Sequence, residues 1–427
     1  MTSIQPGPES GTNPPLRPAR PAPESVQPSW AGALRQELFA SRTDGLVSVL
    51  LIMVILAAVA GLMRWALAQA QWAVIQTNTS LFAIGRYPVQ QQWRLWLLVV
   101  LVAALSGVSW GLLRAFPRAD RSGEIWPFND RLAVALLGFL AAWLPAALAL
   151  GLPLQLRWWL ITALLVTMRW LAGHWGRSLP SRLVKLVPLS WPLLYLLGMI
   201  LIAGGLGFPR VPPSEWGGLL LTLLMASFAI LLSFPIGVVV ALGRRSSLPL
   251  LRWSSVLYIE FIRGAPLITL LFLGQNILGY MLPGGWAPDR VWRAAWVLTF
   301  FCGAYLAEAV RAGLSAVPPG QLEAARSLGL SMPLALQRVV LPQALRIALP
   351  AAVGQFISLL QDTTLLSLIG LLDLLGTART VMANPEFLGK NAEVYLTLAV
   401  LFWCCCAALG LGSRALERRL DPTHSPV

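Results

Sequence analysis

Runs of apolar residues, broken by short basic connections, recur along nearly the whole chain. About 20 consecutive apolar residues let a helix cross the roughly 30 Å hydrocarbon core of a bilayer. A chain with several such runs has few folds open to it, because lipid offers no partner to a free N–H or C=O. Helices satisfy their backbone internally, whereas barrels satisfy it between alternating strands. The runs here are continuous rather than alternating, which selects helices. Composition agrees: 57% of the 427 residues are hydrophobic and 12% charged, too little charged surface for a soluble protein of this length. The reading is an all-α polytopic membrane protein with about ten transmembrane helices.

The expected spans are Leu46–Ala68, Leu95–Leu113, Leu132–Leu150, Leu154–Leu171 and Leu186–Leu206 in the first half. Trp216–Leu242, Val256–Leu282, Val291–Leu314, Ala348–Leu372 and Val394–Leu411 follow in the second. Residues 1–44, rich in Pro, Ser and Gly, read as a disordered tail, and 420–427 as a short closing tail. A formal charge of +14 raises the question of nucleic acid. The basic residues sit at the ends of apolar runs, however, and form no stripe with interleaved aromatics. They read as topology signals, which places both termini and the 315–347 connection on the cytoplasmic side. Cys302 and Cys404–Cys406 lie inside apolar runs without metal-ligand spacing, and His174 and His424 are isolated. No metal or cofactor is expected.

The longest polar interruption of the second half is Pro318–Pro350. Pro318 and Pro319 suit the first turn of a helix, where a missing N–H costs little. Gly320–Leu328 continues it, with Glu323 and Arg326 three apart and close enough to pair. Gly329 fits the left-handed position that ends a helix. Ser331 can cap a second helix with Pro333 in its first turn. Two readings stand for this stretch: a docking surface, or a solvated loop with a local ion pair.

The chain divides near residue 207. Spans before it carry few polar groups, whereas carboxylates and amides enter the membrane after it. On Ala348–Leu372, Gln355, Ser358 and Asp362 follow at helical spacing with Gln361 and Thr363 beside them, a polar stripe facing protein or water. A carboxylate there can meet a cationic group in a path, or be neutralised locally and hold the bundle together. Glu260 with Arg263, and Glu308 with Arg311, are pairs three residues apart toward the ends of their spans. They suit gating beneath a pathway, and equally local charge satisfaction.

Glu323-Ala324-Ala325, Gly329 and Leu341-Pro342 resemble the EAA motif of bacterial ABC importer membrane subunits. Val339 stands where that family usually has isoleucine. YIEFIRGAPL at 258–267, AYLAEAVRAG at 304–313 and GQFISLLQDTTLLSLIG at 354–370 resemble hallmark stretches of polar amino-acid permeases. With the long N-terminal half and its GRYPVQQQWRLW segment at 85–96, the chain looks most like the M-type subunit of general L-amino-acid ABC transporters.

The resemblance implies a C-terminal five-helix type I importer core over 207–419, with 45–206 as additional membrane helices. It implies that the 315–347 loop couples the permease to an ABC ATPase dimer through Glu323, Ala324, Ala325, Gly329, Leu341 and Pro342. It further implies a second, homologous permease subunit, a periplasmic amino-acid-binding protein and import of L-amino acids across the inner membrane. Asp362, Gln361, Thr363, Ser358, Gln355, Glu308 and Glu260 are then the substrate-path candidates. Many relatives carry lysine where this chain has Gln361, which removes a cation that a substrate carboxylate could meet. No GxxxxGK[ST] loop occurs, so ATP hydrolysis falls to a partner and the chain is read as a non-enzyme. The competing readings are an ATP-independent secondary transporter, a scaffold that anchors an ATPase, and a membrane enzyme. Scarce histidine and the lack of HExxH and GxSxG argue against the last.

Overall fold

A computed structural model describes Leu38 and residues 41–115, 154–277 and 288–420. The disordered tail expected over residues 1–44 lies almost wholly outside these, and the span expected at Leu132–Leu150 and the end of the C-terminal tail lie wholly outside. The described chain is helical, with only isolated backbone bridges between segments. Among the described residues, seven helices are long and apolar enough to cross a membrane, or eight if one bent pair forms a single span.

The chain forms two compact units, Met1–Ala70 and Gln71–Val427. The first contains α1 (Arg42–Ala68), capped by the Ser41 hydroxyl, which accepts the Asp44 N–H; no residue of α1 is buried. In the second unit, α2 (Ala73–Ile84) precedes α3 (Gln92–Ala115), α4 (Leu154–Trp175) and α5 (Ser181–Ala203). Helix α4 coincides with the span expected at Leu154–Leu171, but Arg157 and Arg169 keep it off the set of clearly apolar spans.

Five spans make up the C-terminal part: α6 (Gly218–Arg244), the bent pair α7 (Pro249–Gly264) and α8 (Leu267–Asn276), α9 (Arg290–Ala316), the helix running from Met332, and α14 (Asn391–Leu420). The single span expected at Val256–Leu282 is instead broken by 105°. Pro266 sits at the break, where the residue before it is pushed out of the helical region and Pro itself donates no N–H.

Helices α6 and α9 meet through small residues. A Cβ on Gly237 would come within 2.7 Å of Leu306 Cβ, and one on Gly303 within 3.1 Å of Ile236. On the other side of α9, a Cβ on Gly313 would reach 2.3 Å from the Ala344 carbonyl. Lipid supplies no hydrophobic drive between helices, so close backbone approach and van der Waals contact do the holding.

Candidate functional site

Between α9 and the next span lies α10 (Pro319–Ser327), with Pro319 in its first turn as the sequence leads one to expect. Its inner side buries Ala325 and packs Leu322 against the cluster that includes Val310, Leu314 and Val340. Its outer side exposes Glu323, Ala324 and Arg326, and ends on Leu328, which is 84% exposed. The expected Glu323–Arg326 pair does not form among the described residues; both side chains lie in solvent, which repays an ion pair little. Gly329 takes φ +83, and its N–H donates to the Arg326 carbonyl at 2.9 Å.

Ser331 occupies the N-cap position of α11 (Met332–Ala335) without making a side-chain cap bond. One π turn, Leu336–Val340, joins α11 to α12 (Leu341–Asp362). The turn has a local cause. Pro342 lacks an N–H and its ring crowds the carbonyl four residues back, and a wider turn relieves both. The Leu341-Pro342 pair is therefore where α11 changes register into α12, and the helix continues to Ile369, a 38-residue element. At 1.5 Å per residue that is about 57 Å, longer than the hydrocarbon core, so one end projects beyond it.

The polar residues of α12 fall mostly on its more exposed side. Ala344, Ala348, Ala352, Leu359 and Leu360 are buried, whereas Gln355 and Asp362 are half-buried and Ser358 and Gln361 exposed. Thr363 is buried and donates to the Leu360 carbonyl at 2.6 Å. Gln361 makes only a long contact to Cys406 Sγ on α14, at 3.8 Å. Asp362 has no hydrogen-bond or ion-pair partner among the described residues. An apolar notch of 260 Å³ at the α7–α8 bend, lined by Phe261, Leu270, Val297 and Phe300 among others, offers no polar group to an amino acid.

Glu308 and Glu260 come together, but not as two separate pairs. Glu308 Oε1 accepts from Arg244 Nη1 at 2.5 Å, and its Oε2 accepts from Arg311 Nε at 3.0 Å and lies 3.8 Å from Arg263. Arg244 also reaches Glu260 at 3.3 Å. The local Glu260–Arg263 pair is not made. Arg263 turns to Glu308 and to the face of Tyr305, 5.3 Å away. Three arginines and two carboxylates thus tie α6, α7 and α9 at the end that carries α10. Arg244 escapes the sequence reading because it ends an apolar run like any topology-setting basic residue.

Beyond Asp362, a 3₁₀ turn (Thr363–Ile369) leads through Gly370, at φ +77, to α13 (Leu374–Met382). Arg290 donates to the Ile369 carbonyl at 2.5 Å. Asp373 caps α13, accepting the Gly376 and Leu375 N–H groups at 3.0 and 3.1 Å. Burial pushes its carboxyl up to about 7, against the pull of those amides and Arg379. In the N-terminal part, Arg94 is fully buried, donates to the Pro209 carbonyl at 2.9 Å and lies over the Phe208 ring. The sequence reading of that part as poor in polar groups overlooks it, since it is a single basic residue beside an apolar run.

The described residues form a helical membrane bundle, with an exposed short helix leading into a long span. Residues 233–422 match the family "Binding-protein-dependent transport system inner membrane component". The chain is 35% identical over 341 residues to the inner membrane amino-acid ABC transporter permease protein YhdY of Escherichia coli, covering 78% of this chain and 89% of that one. It is 36% identical over 371 residues to the glutamate/glutamine/aspartate/asparagine transport system permease protein BztC of Rhodobacter capsulatus, covering 83% and 80%. A probable glutamine ABC transporter permease protein, GlnM of Bacillus subtilis, is 33% identical and matches 48% of this chain but 91% of its own. A solved structure described as an amino acid ABC transporter with histidines shares 33% identity over 48% of this chain and 92% of its own, at TM-score 0.43. The chain belongs to the amino-acid ABC transporter permeases, and it is a multi-pass inner-membrane subunit of an ABC-type transport system. Membership implies a transport rather than a catalytic role, with a separate ATPase and a substrate-binding protein as partners.

Proposed function

We propose that this subunit imports L-amino acids by alternating access, with α10 as the contact to an ATPase dimer and the polar stripe of α12 as one wall of the substrate path. The observation that carries the reading is the unbroken run from α11 through the π turn into α12, because a push on α10 and α11 enters the helix that holds Asp362. A rigid helix transmits displacement where a loop would absorb it. Glu323, Ala324, Ala325 and Gly329 shape the contact, and Leu341 and Pro342 join it to the span. Exposed Leu328 supplies an apolar knob for a partner groove.

Ser358 and Gln361 are exposed and Gln355 and Asp362 half-buried, which supports a path completed by a second, homologous permease subunit, with buried Thr363 behind them. Asp362 meets the substrate ammonium; Glu260 and Glu308 close the path at its α10 end. In this reading residues 207–419 form the permease core, 45–206 supply extra membrane helices, both termini and the 315–347 loop are cytoplasmic, and a periplasmic binding protein delivers substrate. Half of this chain accounts for nearly all of a shorter relative of the GlnM kind.

The test is reconstitution in proteoliposomes. The full assembly should accumulate labelled amino acids with ATP, and this subunit alone should neither hydrolyse ATP nor accumulate them. Within the assembly, Asp362→Asn should raise the KM for uptake on the order of tenfold, as loss of one charged contact does. ATP-independent, proton-driven uptake by the lone subunit would establish a secondary transporter instead. Unchanged kinetics across acidic, neutral and basic amino acids would remove Asp362 from the path.

A further inference from the structure

The short helix α2 is held at both ends by the permease core. At its start, the Gln71 N–H donates at 3.0 Å to Oε1 of Glu393, a carboxylate only 5% exposed on α14. At its end, backbone meets backbone. A Cβ on Gly85 would fall 2.4 Å from Gly217 Cα, and one on Gly218 would fall 2.3 Å from the Phe82 carbonyl. Between the two ends, Val74 and Phe82 are buried with Leu374, Ala378 and Val381 of α13 and with Val394 and Leu398 of α14.

The same junction grips the loop that follows the substrate-path helix. The Gly218 N–H donates to the Leu372 carbonyl at 2.9 Å, and the Leu374 N–H donates to Thr222 Oγ1 at 3.0 Å. Thr377 Oγ1 donates to the Leu372 carbonyl at 3.1 Å. Helix α12 has 22 residues and so separates α13 from α10 by about 33 Å, the depth of the bilayer core. Helix α2 therefore lies across the end of the bundle opposite α10, over the α13 helix that closes the chain's return from Asp362.

We infer that α2 is a brace that positions α13 and the Thr363–Leu372 segment, with Glu393 and Gly85 as its two anchoring residues. It sets the far mouth of the path against the movement that α10 introduces. The extra N-terminal segment thereby takes a part in import beyond membrane anchoring. A lone α2 of 12 residues is too short to hold its own helix in water, so its position depends on its packing against α13 and α14 together with both anchors. Losing either one frees α13 on its outer side. This inference rests on the import reading above.

The experiment compares Glu393→Leu with Glu393→Gln in the reconstituted full assembly, reading amino acid imported per ATP hydrolysed. The leucine variant removes the acceptor for the Gln71 N–H, whereas glutamine retains a carbonyl oxygen there. A brace predicts a ratio lowered about fivefold for leucine, a near-normal ratio for glutamine and a full rate of ATP hydrolysis in both. Gln71→Pro, which deletes the donor and leaves the core untouched, carries the same prediction if the leucine variant does not reach the membrane. Equal ratios in all variants, or loss of uptake only in proportion to lost assembly, would overturn the brace while leaving the import reading intact. Failure of the wild-type assembly to import any amino acid would remove both.

Discussion

Replacing Gly329 with proline is expected to separate ATP hydrolysis from amino-acid uptake while leaving the helical bundle in the membrane. At φ +83 the backbone is left-handed, a region closed to proline, whose ring fixes φ near −65°. Proline also deletes the N–H that donates to the Arg326 carbonyl. The chain between α10 and α11 must then take another path, and a force applied to α10 no longer passes squarely into α11. Nothing lies within 4 Å of a Cβ built on Gly329, so the effect is conformational rather than steric. That makes a graded series informative. Asn, which tolerates the left-handed region, should act nearly as wild type, and Ala should cost about 1–2 kcal/mol of local strain. Proline should lower uptake per ATP on the order of tenfold, the size of an ordinary coupling free energy. Uptake and hydrolysis assayed on the same vesicles check this; an unchanged ratio for proline, or equal loss for Asn, would count against it.

Glu308→Ala is expected to have the largest effect on stability. Its side chain is 18% exposed and receives Arg244 and Arg311 directly, with Arg263 close by. Removing the carboxylate leaves three guanidinium groups crowded at the junction of α6, α7 and α9, with Glu260 alone facing them. Taking one partner from a largely buried charge pair costs about 3–5 kcal/mol, and exposure at the bundle end brings the expectation toward about 3 kcal/mol. Heating the purified assembly in detergent should show an earlier transition for Glu308→Ala than for Glu260→Ala. Glu260 is 60% exposed and contacts Arg244 alone, so its loss should cost well under 1 kcal/mol. Equal transition temperatures for the two variants would dissolve the network as a structural unit.

Much of this is legible in the sequence because it is local. Pro319 at a helix start, Gly329 at a helix end and the apolar runs of α6, α9 and α14 each follow from a few neighbouring residues. The EAA stretch stands out for the same reason. What escapes is the work of residues whose partners lie on other helices. Spacing of three suggests Glu260–Arg263, but the fold brings Arg244 from the end of α6 to Glu260, and Arg263 goes to Glu308. Pro266 marks where its span can kink, but nothing local shows that the break reaches 105°. Helix α2 is too short and too polar on its outer face to stand out as a span. Its buried partners, Leu374 and Val394, lie some three hundred positions away. Arg94, one basic residue beside an apolar run, looks like a topology signal until the fold buries it, and Glu393 is a single carboxylate at a span's start.

The central claim is that α10 meets the ATPase and drives α12. The most direct measurement is cross-linking from Leu328→Cys, a position 84% exposed at the tip of α10, in the assembled transporter. A short bifunctional thiol reagent should join it to the ATPase subunit, with a yield that changes between nucleotide-free and ATP-bound states. Full ATP-driven uptake with Leu328→Cys linked to no ATPase subunit in any state would contradict the account.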